Sequence, residues 1–270
     1  MSMTSGPVKK PAASPASGGA AALRGSRHAL LSEIGAQGQE RISELSVLVI
    51  GAGGVGCPAA LYLVESGIRS ITLLDADKVE ASNLARQILH LPDRIGMNKA
   101  ASAKETLSRI NPDVKVEGFD VWADEKTIRA HAANADIILD CSDNFRTRHA
   151  ANRAALALGK PLVTVSAIRF SLQVAFFDFS RSDCGCYACM FPDDEDAASD
   201  VKASSVGVLA PVTGLAGLIA AEEVLKWAAG ADSLAGRLLM LDTLSWQIQT
   251  FKIAKMPGCA ACAGRTAASD

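Results

Sequence analysis

The sequence predicts an α/β protein whose sheet is mostly parallel, with helices on both faces and antiparallel strands added toward the C-terminus. Three observations predict it. A strand–turn–helix–strand unit occupies Val47 to Asp75. Short apolar runs then alternate with helical patterns as far as Val165, the order of a parallel sheet built from βαβ units. Beyond Gln173 the pattern changes to alternation in period two, the mark of antiparallel strands. No linker or internal repeat divides the chain.

The elements follow in order. Arg27 to Arg41 has spaced apolar positions and predicts one or two N-terminal helices. Val47-Leu48-Val49-Ile50 is a buried strand, and Gly51-Ala52-Gly53-Gly54-Val55-Gly56 turns it into a helix that runs to Gly67. Ile71-Thr72-Leu73-Leu74 is a second strand ending at Asp75. Asn98 to Ile110 is helical and stops before Asn111-Pro112, a turn signal. Val114 to Phe119 is a strand, Ile128 to Ala133 a helix, and Asp136 to Asp140 an apolar strand with acidic ends. Asp143 or a neighbour caps the next helix, which runs to Leu158 and ends at Gly159-Lys160-Pro161. Leu162 to Val165 is another buried strand. Gln173 to Phe179 and Ile248 to Ile253 read as half-exposed antiparallel strands, with a long Ala-rich helix over Val212 to Ala229 between them.

Composition bounds the function. The 270 residues are 49% hydrophobic and 21% charged, enough for one large core. A net charge of −2 gives no reason to expect nucleic-acid binding. The helix over Val212 to Ala229 carries Glu222, Glu223 and Lys226, and no segment reaches the ~20 apolar residues of a membrane span. Residues 1–26 are rich in Ala, Ser, Gly and Pro, with Lys9 and Lys10. They are expected to be a disordered tail, without the apolar core of a signal peptide. Residues 27–264 are expected to form a single domain and residues 265–270 a flexible tail. Seven cysteines, an odd count without an export signal, argue against a disulfide framework and for a reducing, cytoplasmic setting.

The glycine-rich turn satisfies G-x-G-x-x-G with Gly51, Gly53 and Gly56, and Gly54 is extra. Between a strand and a helix, such a turn offers backbone N–H groups and a helix dipole to phosphate, and Asp75 stands where a ribose would lie. On that basis alone a NAD-dependent oxidoreductase fits, although no catalytic His or Lys beside a substrate domain is evident. The residues that follow shift the balance. Asp77, Ser82, Asn83, Arg86, Gln87 and Lys99 come soon after Asp75. Arg86 and Lys99 supply positive charge that suits a triphosphate better than a dinucleotide pyrophosphate.

The glycine turn, Ser82-Asn83-Leu84-Ala85-Arg86-Gln87 and Asp140-Cys141-Ser142-Asp143-Asn144 together resemble the signatures of the ThiF/MoeB/HesA family, bacterial relatives of the ubiquitin-activating enzymes. The resemblance covers roughly Arg24 to Gly264. It implies ATP-dependent adenylation of the C-terminal glycine of a ubiquitin-like sulfur-carrier protein with a Gly-Gly tail. It implies that Gly51, Gly53, Gly54 and Gly56 cradle the ATP phosphates, that Asp75 binds ribose, that Asn83, Arg86, Gln87 and Lys99 complete the nucleotide site, and that Asp143, next to Asn144, holds Mg²⁺. Arg27, within Arg24-Gly25-Ser26-Arg27-His28, matches the family arginine that reaches a neighbouring subunit's site, so a homodimer is expected. His28 stands where the family usually has Gln.

Cys186, Cys189, Cys259 and Cys262 form two C-x-x-C pairs with zinc-ribbon spacing. Four thiolates would make a closed structural zinc site; two separate redox motifs are the other reading. The family carries a Cys₄ zinc in matching places. Many of its members also have a cysteine in the crossover loop before the long C-terminal helix, where this chain has Ala203. That departure implies that the chemistry ends at the acyl-adenylate and that a separate protein donates sulfur, with Cys184 a substitute nucleophile at most. Cys57 and Cys141 read as small buried hydrophobes. Ala167-Ile168-Arg169 is more MoeB-like and Phe191-Pro192-Asp193 more ThiF-like, so molybdopterin and thiamine synthesis both remain open.

Overall fold

β1 (Ser46–Ile50) is buried along its whole length. Its side chains alternate between two cores. Val47 and Val49 join one apolar cluster, and Leu48 and Ile50 join the other. That is what a strand covered on both faces requires, and it explains the unbroken apolar run in the sequence. The computed structural model describes residues 24–193 and 206–263.

β1 is flanked by β2 (Ser70–Leu74) and β4 (Ile137–Asp140). β3 (Lys115–Phe119) and β5 (Leu162–Ile168) extend the sheet on either side, all parallel. β6 (Ser171–Phe177), β7 (Arg237–Asp242) and β8 (Gln247–Lys252) then add antiparallel strands. The eight-stranded order is β3-β2-β1-β4-β5-β6-β7-β8. One face carries α1 (Gly35–Glu44), α2 (Gly56–Glu65), α3 (Lys99–Ile110) and the long α7 (Ala210–Ala229). The other carries α4 (Glu125–Ala132), α5 (Phe145–Leu158) and the short α6 (Tyr187–Met190). Among the described residues, no helix is long and apolar enough to cross a membrane.

The predicted helix and strand positions recur within a few residues, and the caps are physical. Asn98, Asp124 and Asn144 accept hydrogen bonds from the third residue beyond each, as N-caps of α3, α4 and α5. Gly159 and Gly230 close α5 and α7 in the left-handed conformation. Arg41 donates to the carbonyls of Ala228 and Ala229, fixing α1 to the end of α7. The N-terminal segment forms one 3₁₀ turn (His28–Leu30) and one α-helix.

Three features differ from the expectation. β7 was not anticipated, because Leu238-Leu239-Met240-Leu241 is a short continuous apolar run that periodicity cannot assign. β6 was expected to be half-exposed, but it is interior and almost wholly buried between β5 and β7. β8, expected to be half-exposed as well, is exposed at every position because it forms the edge of the sheet. Trp246 is 72% and Ile248 65% exposed there.

Candidate active site and cysteine cluster

β1 and β4 are neighbours whose connections leave toward opposite faces, β1 into α2 and β4 into α5. A cleft opens at such a reversal of strand order, beyond the carboxyl ends of the strands. Here its volume is about 610 Å³, and its walls come from the turns after β1 and β4, the segment after β2 and the loop after β3.

The glycine turn forms one wall. Gly51 has φ +92°, and a Cβ on Gly56 would lie 1.9 Å from the Gly51 carbonyl oxygen. Only glycine allows α2 to start so close to the end of β1. The N-terminus of α2 has no side-chain cap and no acidic residue in its first turn, so its orphan N–H groups remain for an anion. Gly51, Gly53 and Gly54 line the cleft, whereas Gly56 is packed beneath. A Gly56→Ala protein is expected to lose about 1–3 kcal/mol of stability from overpacking, measured by urea denaturation. It should also bind ATP at least tenfold more weakly by calorimetry, about the effect of one misplaced hydrogen bond.

The carboxylate after β2 holds this turn in place. Asp75 Oδ2 accepts from the Ala52 N–H at 2.7 Å, and Oδ1 accepts from the Asp77 N–H at 2.8 Å. Burial raises the Asp75 pKa, while Lys99 opposes the rise. Lys99 is 7% exposed and its Nζ lies 2.8 Å from Asp77 Oδ2. Asn98 caps α3 with its Oδ1 and donates from Nδ2 to the Asp75 carbonyl at 2.8 Å. Sequence reasoning passed over Asn98 as a site residue, although its place just before a helical run was a legible cap signal.

The Ser82–Gln87 segment supplies a second cation. Arg86 donates to Asn83 Oδ1 at 2.9 Å and to the Ser82 carbonyl at 3.4 Å, and its stem lies over Gly54. Asn83, Arg86 and Gln87 line the cleft; the exposed Ser82 contributes its carbonyl to Arg86 and lies outside the lining. Three cleft residues, Gln87, Ser142 and Arg148, each hold a buried polar atom with no partner among the described residues, Gln87 Oε1, Ser142 Oγ and Arg148 Nε. A nucleotide's hydroxyl and amino groups would satisfy such atoms, so these walls suit a polar ligand.

The turn after β4 forms the opposite wall. Asp140 is fully buried. Its Oδ1 accepts from the Ser142 N–H at 2.9 Å, and burial raises its pKa against the pull of Arg148. Arg148, one turn into α5, donates to the carbonyls of Ser142 and Val165 at 2.9 and 3.2 Å. Asp143 is exposed on the cleft wall and has no ion pair among the described residues. Asn144 lines the cleft too, with its Oδ1 engaged by the Thr147 N–H as the α5 cap. Arg148 and the buried role of Asp140 were missed from sequence, since neither contact has a local signature. Arg27 is exposed and lies outside this cleft.

The four predicted cysteines converge. Their sulfurs all lie within 4.8 Å of one another. The closest approaches are Cys186–Cys259 at 3.8 Å, Cys186–Cys189 at 3.9 Å and Cys189–Cys262 at 3.5 Å. A tetrahedron with Zn–S bonds of ~2.3 Å has edges of about 3.8 Å, so the donor set fits zinc. Burial pushes the Cys186 thiol up to about 11, and a cation is what would hold such thiols as thiolates. Cys184 is buried and its Sγ lies 3.2 Å from the Gly185 carbonyl. Cys57 is buried as expected. Cys141 is only partly buried and lines the cleft, with its thiol pKa raised by burial.

A doubly wound α/β sheet with a phosphate-type glycine turn, two cations and a carboxylate around one cleft, and a four-thiol cluster behind it, defines a nucleotide-binding domain stapled by a metal-type site. The chain belongs to the ThiF family, whose model matches residues 25–261. "Sulfur carrier protein ThiS adenylyltransferase" of Escherichia coli (strain K12) is 36% identical over 245 residues, 91% of this chain and 96% of that protein. "Adenylyltransferase and sulfurtransferase MOCS3" of Xenopus laevis is 42% identical over 242 residues, 89% of this chain. The chain spans about half the length of the MOCS3 relatives, 53% in that case. Among solved structures, E. coli MccB with ATP shares the fold at a TM-score of 0.76 and 23% identity, covering 88% of this chain and 73% of MccB.

Proposed function

We propose that this protein transfers AMP from ATP to the C-terminal glycine carboxylate of a small ubiquitin-like sulfur-carrier protein and releases pyrophosphate. The observation that carries the reading is the juxtaposition of the glycine turn, Arg86, Lys99 and Asp143 around one cleft. Family membership and the names of the MOCS3 and ThiS adenylyltransferase relatives support it.

The step forms a bond between a carboxylate oxygen and the α-phosphorus and breaks the bond from that phosphorus to the bridging oxygen; pyrophosphate leaves with the electron pair. The attacking group is already an anion, so no general base is needed. The barrier is the approach of two anions, and cations positioned in advance lower it. The turn N–H groups and the α2 N-terminus bind phosphate. Lys99 and Arg86 neutralise the triphosphate, and Asp75 takes the ribose hydroxyls. Asp143 is a hard oxygen donor suited to Mg²⁺, which when bound supplies Lewis-acid charge at the phosphates. The cysteine cluster serves as a structural zinc site away from this chemistry.

Arg27, exposed and outside its own cleft, serves the cleft of a second copy in a homodimer. Sulfur comes from a separate donor protein: Cys184 is buried, and Cys141 is held as a thiol by its raised pKa. Ala203, the position of the family's crossover cysteine, lies outside the described residues. The carriers that fit are MoaD-like, for molybdopterin, or ThiS-like, for thiamine. Carrier-dependent ATP–[³²P]pyrophosphate exchange tests the function. Exchange with one of these carriers, absent when the carrier's last glycine is removed, is the expected result. No exchange with either carrier would overturn the proposal.

A further inference from the structure

Beneath the cleft lies a buried polar cluster that the adenylation step does not use. His90 is 4% exposed. Its Nε2 is 2.9 Å from the Ala52 carbonyl oxygen, and its Nδ1 is 3.0 Å from Ser102 Oγ. A carbonyl can only accept, so Nε2 carries the proton; the Ser102 hydroxyl then donates to Nδ1. Cys57 Sγ, kept as a thiol by burial, also approaches the Ala52 carbonyl at 3.2 Å.

Ala52 is the residue between the first two glycines of the turn. Its N–H donates to Asp75 and its C=O accepts from His90. The turn is thereby held at both ends of one residue, by two side chains from different segments. Ser102 lies in α3, the helix whose first residue is Lys99. The chain Ser102–His90–Ala52 therefore ties the helix bearing the phosphate-facing lysine to the turn bearing the phosphate-facing amides. The two groups that must meet one triphosphate share a hydrogen-bonded strut.

We propose that His90 is a positioning residue, which fixes the glycine turn through the Ala52 carbonyl and sets its register with Lys99. Glycines on both sides of Ala52 leave that segment few restraints of its own, so a buried hydrogen bond at this carbonyl sets where the turn N–H groups point. The effect on nucleotide affinity rests on the adenylation reading. The ordering of the turn does not.

The test compares wild type with His90→Met, His90→Gln and Ser102→Ala in the full chain. Hydrogen–deuterium exchange of the peptide over residues 50–56 reads turn order, and calorimetry with ATP reads affinity. His90→Met removes the donor at similar volume and should raise exchange and weaken ATP binding, each about tenfold, the effect of one buried hydrogen bond. His90→Gln returns an N–H in place of Nε2–H and should restore both to within about threefold. Ser102→Ala leaves the ring in place without its Nδ1 partner and should fall between. His90→Met within twofold of wild type in both readouts would overturn the proposal, as would His90→Gln no better than His90→Met. If His90→Met does not fold, the other two variants decide: His90→Gln near wild type with Ser102→Ala looser supports the strut, and the reverse order overturns it. Wild type that binds no ATP would defeat the adenylation reading alone, because the exchange comparison still decides the role of His90.

Discussion

Replacing Asp143 by Ala is expected to lower carrier-dependent pyrophosphate exchange by roughly 10³-fold, the several kcal/mol that metal-held charge contributes in the transition state. The melting temperature should stay within about 2 °C, since exchange of an exposed surface side chain falls within ±0.5 kcal/mol. Its neighbour in the same motif makes the opposite case. Asp140 is fully buried and its carboxylate holds the Ser142 N–H, so Asp140→Ala should destabilise the fold by about 1–3 kcal/mol before any effect on chemistry is read. Two acids three residues apart thus separate into a ligand-facing group and a turn-fixing group. Exchange by Asp143→Ala within threefold of wild type, at saturating Mg²⁺ and carrier, would remove Asp143 from the mechanism.

The same contrast explains what was legible in the sequence. Gly51, Gly53, Asp75 and Lys99 were visible because each sits at a strand end or helix start, where local pattern and chemistry coincide. The parallel half of the sheet was visible for the same reason: Val47–Ile50 and Ile137–Leu139 are buried on both faces and so are apolar without interruption. The antiparallel half was less so. β8 mixes polar residues with Ile248 and Phe251, yet every residue is exposed because the sheet ends there; its pattern says nothing about what covers it. His90 and Arg148 were not legible at all. Their partners are the carbonyls of Ala52, Ser142 and Val165, and a carbonyl leaves no trace in the sequence. Of the proposed ligand set, Ser82 stands outside the cleft and Asn144 is engaged as a cap, which shows how a motif mixes residues that touch ligand with residues that shape the turn.

Cys262→Ser is expected to have the largest effect on stability. Four thiolates give zinc about 10–16 kcal/mol of apparent binding in small peptide sites, so losing one ligand of four costs roughly 3 kcal/mol, a fall of about 6–12 °C in melting temperature for a domain of this size. Zinc measured by mass spectrometry should fall well below one per chain. Acid should act in the same direction, because the ligands must be deprotonated and zinc leaves as they bind protons. The damage should reach the active site through α5. Asn152, fully buried in that helix, accepts from the N–H of Tyr187, the residue next to Cys186, at 2.9 Å. Two turns earlier the same helix is capped by Asn144, beside Asp143. A knuckle without metal should therefore loosen the helix that follows directly on Asp143, the acid proposed to hold Mg²⁺. Hydrogen exchange over residues 141–148 should rise in Cys262→Ser, while the turn at residues 51–56, held by Asp75 and His90 on the other side of the cleft, should keep wild-type exchange. Equal loosening of both segments would mean that the cluster holds up the whole fold and has no directed link to the β4–α5 turn.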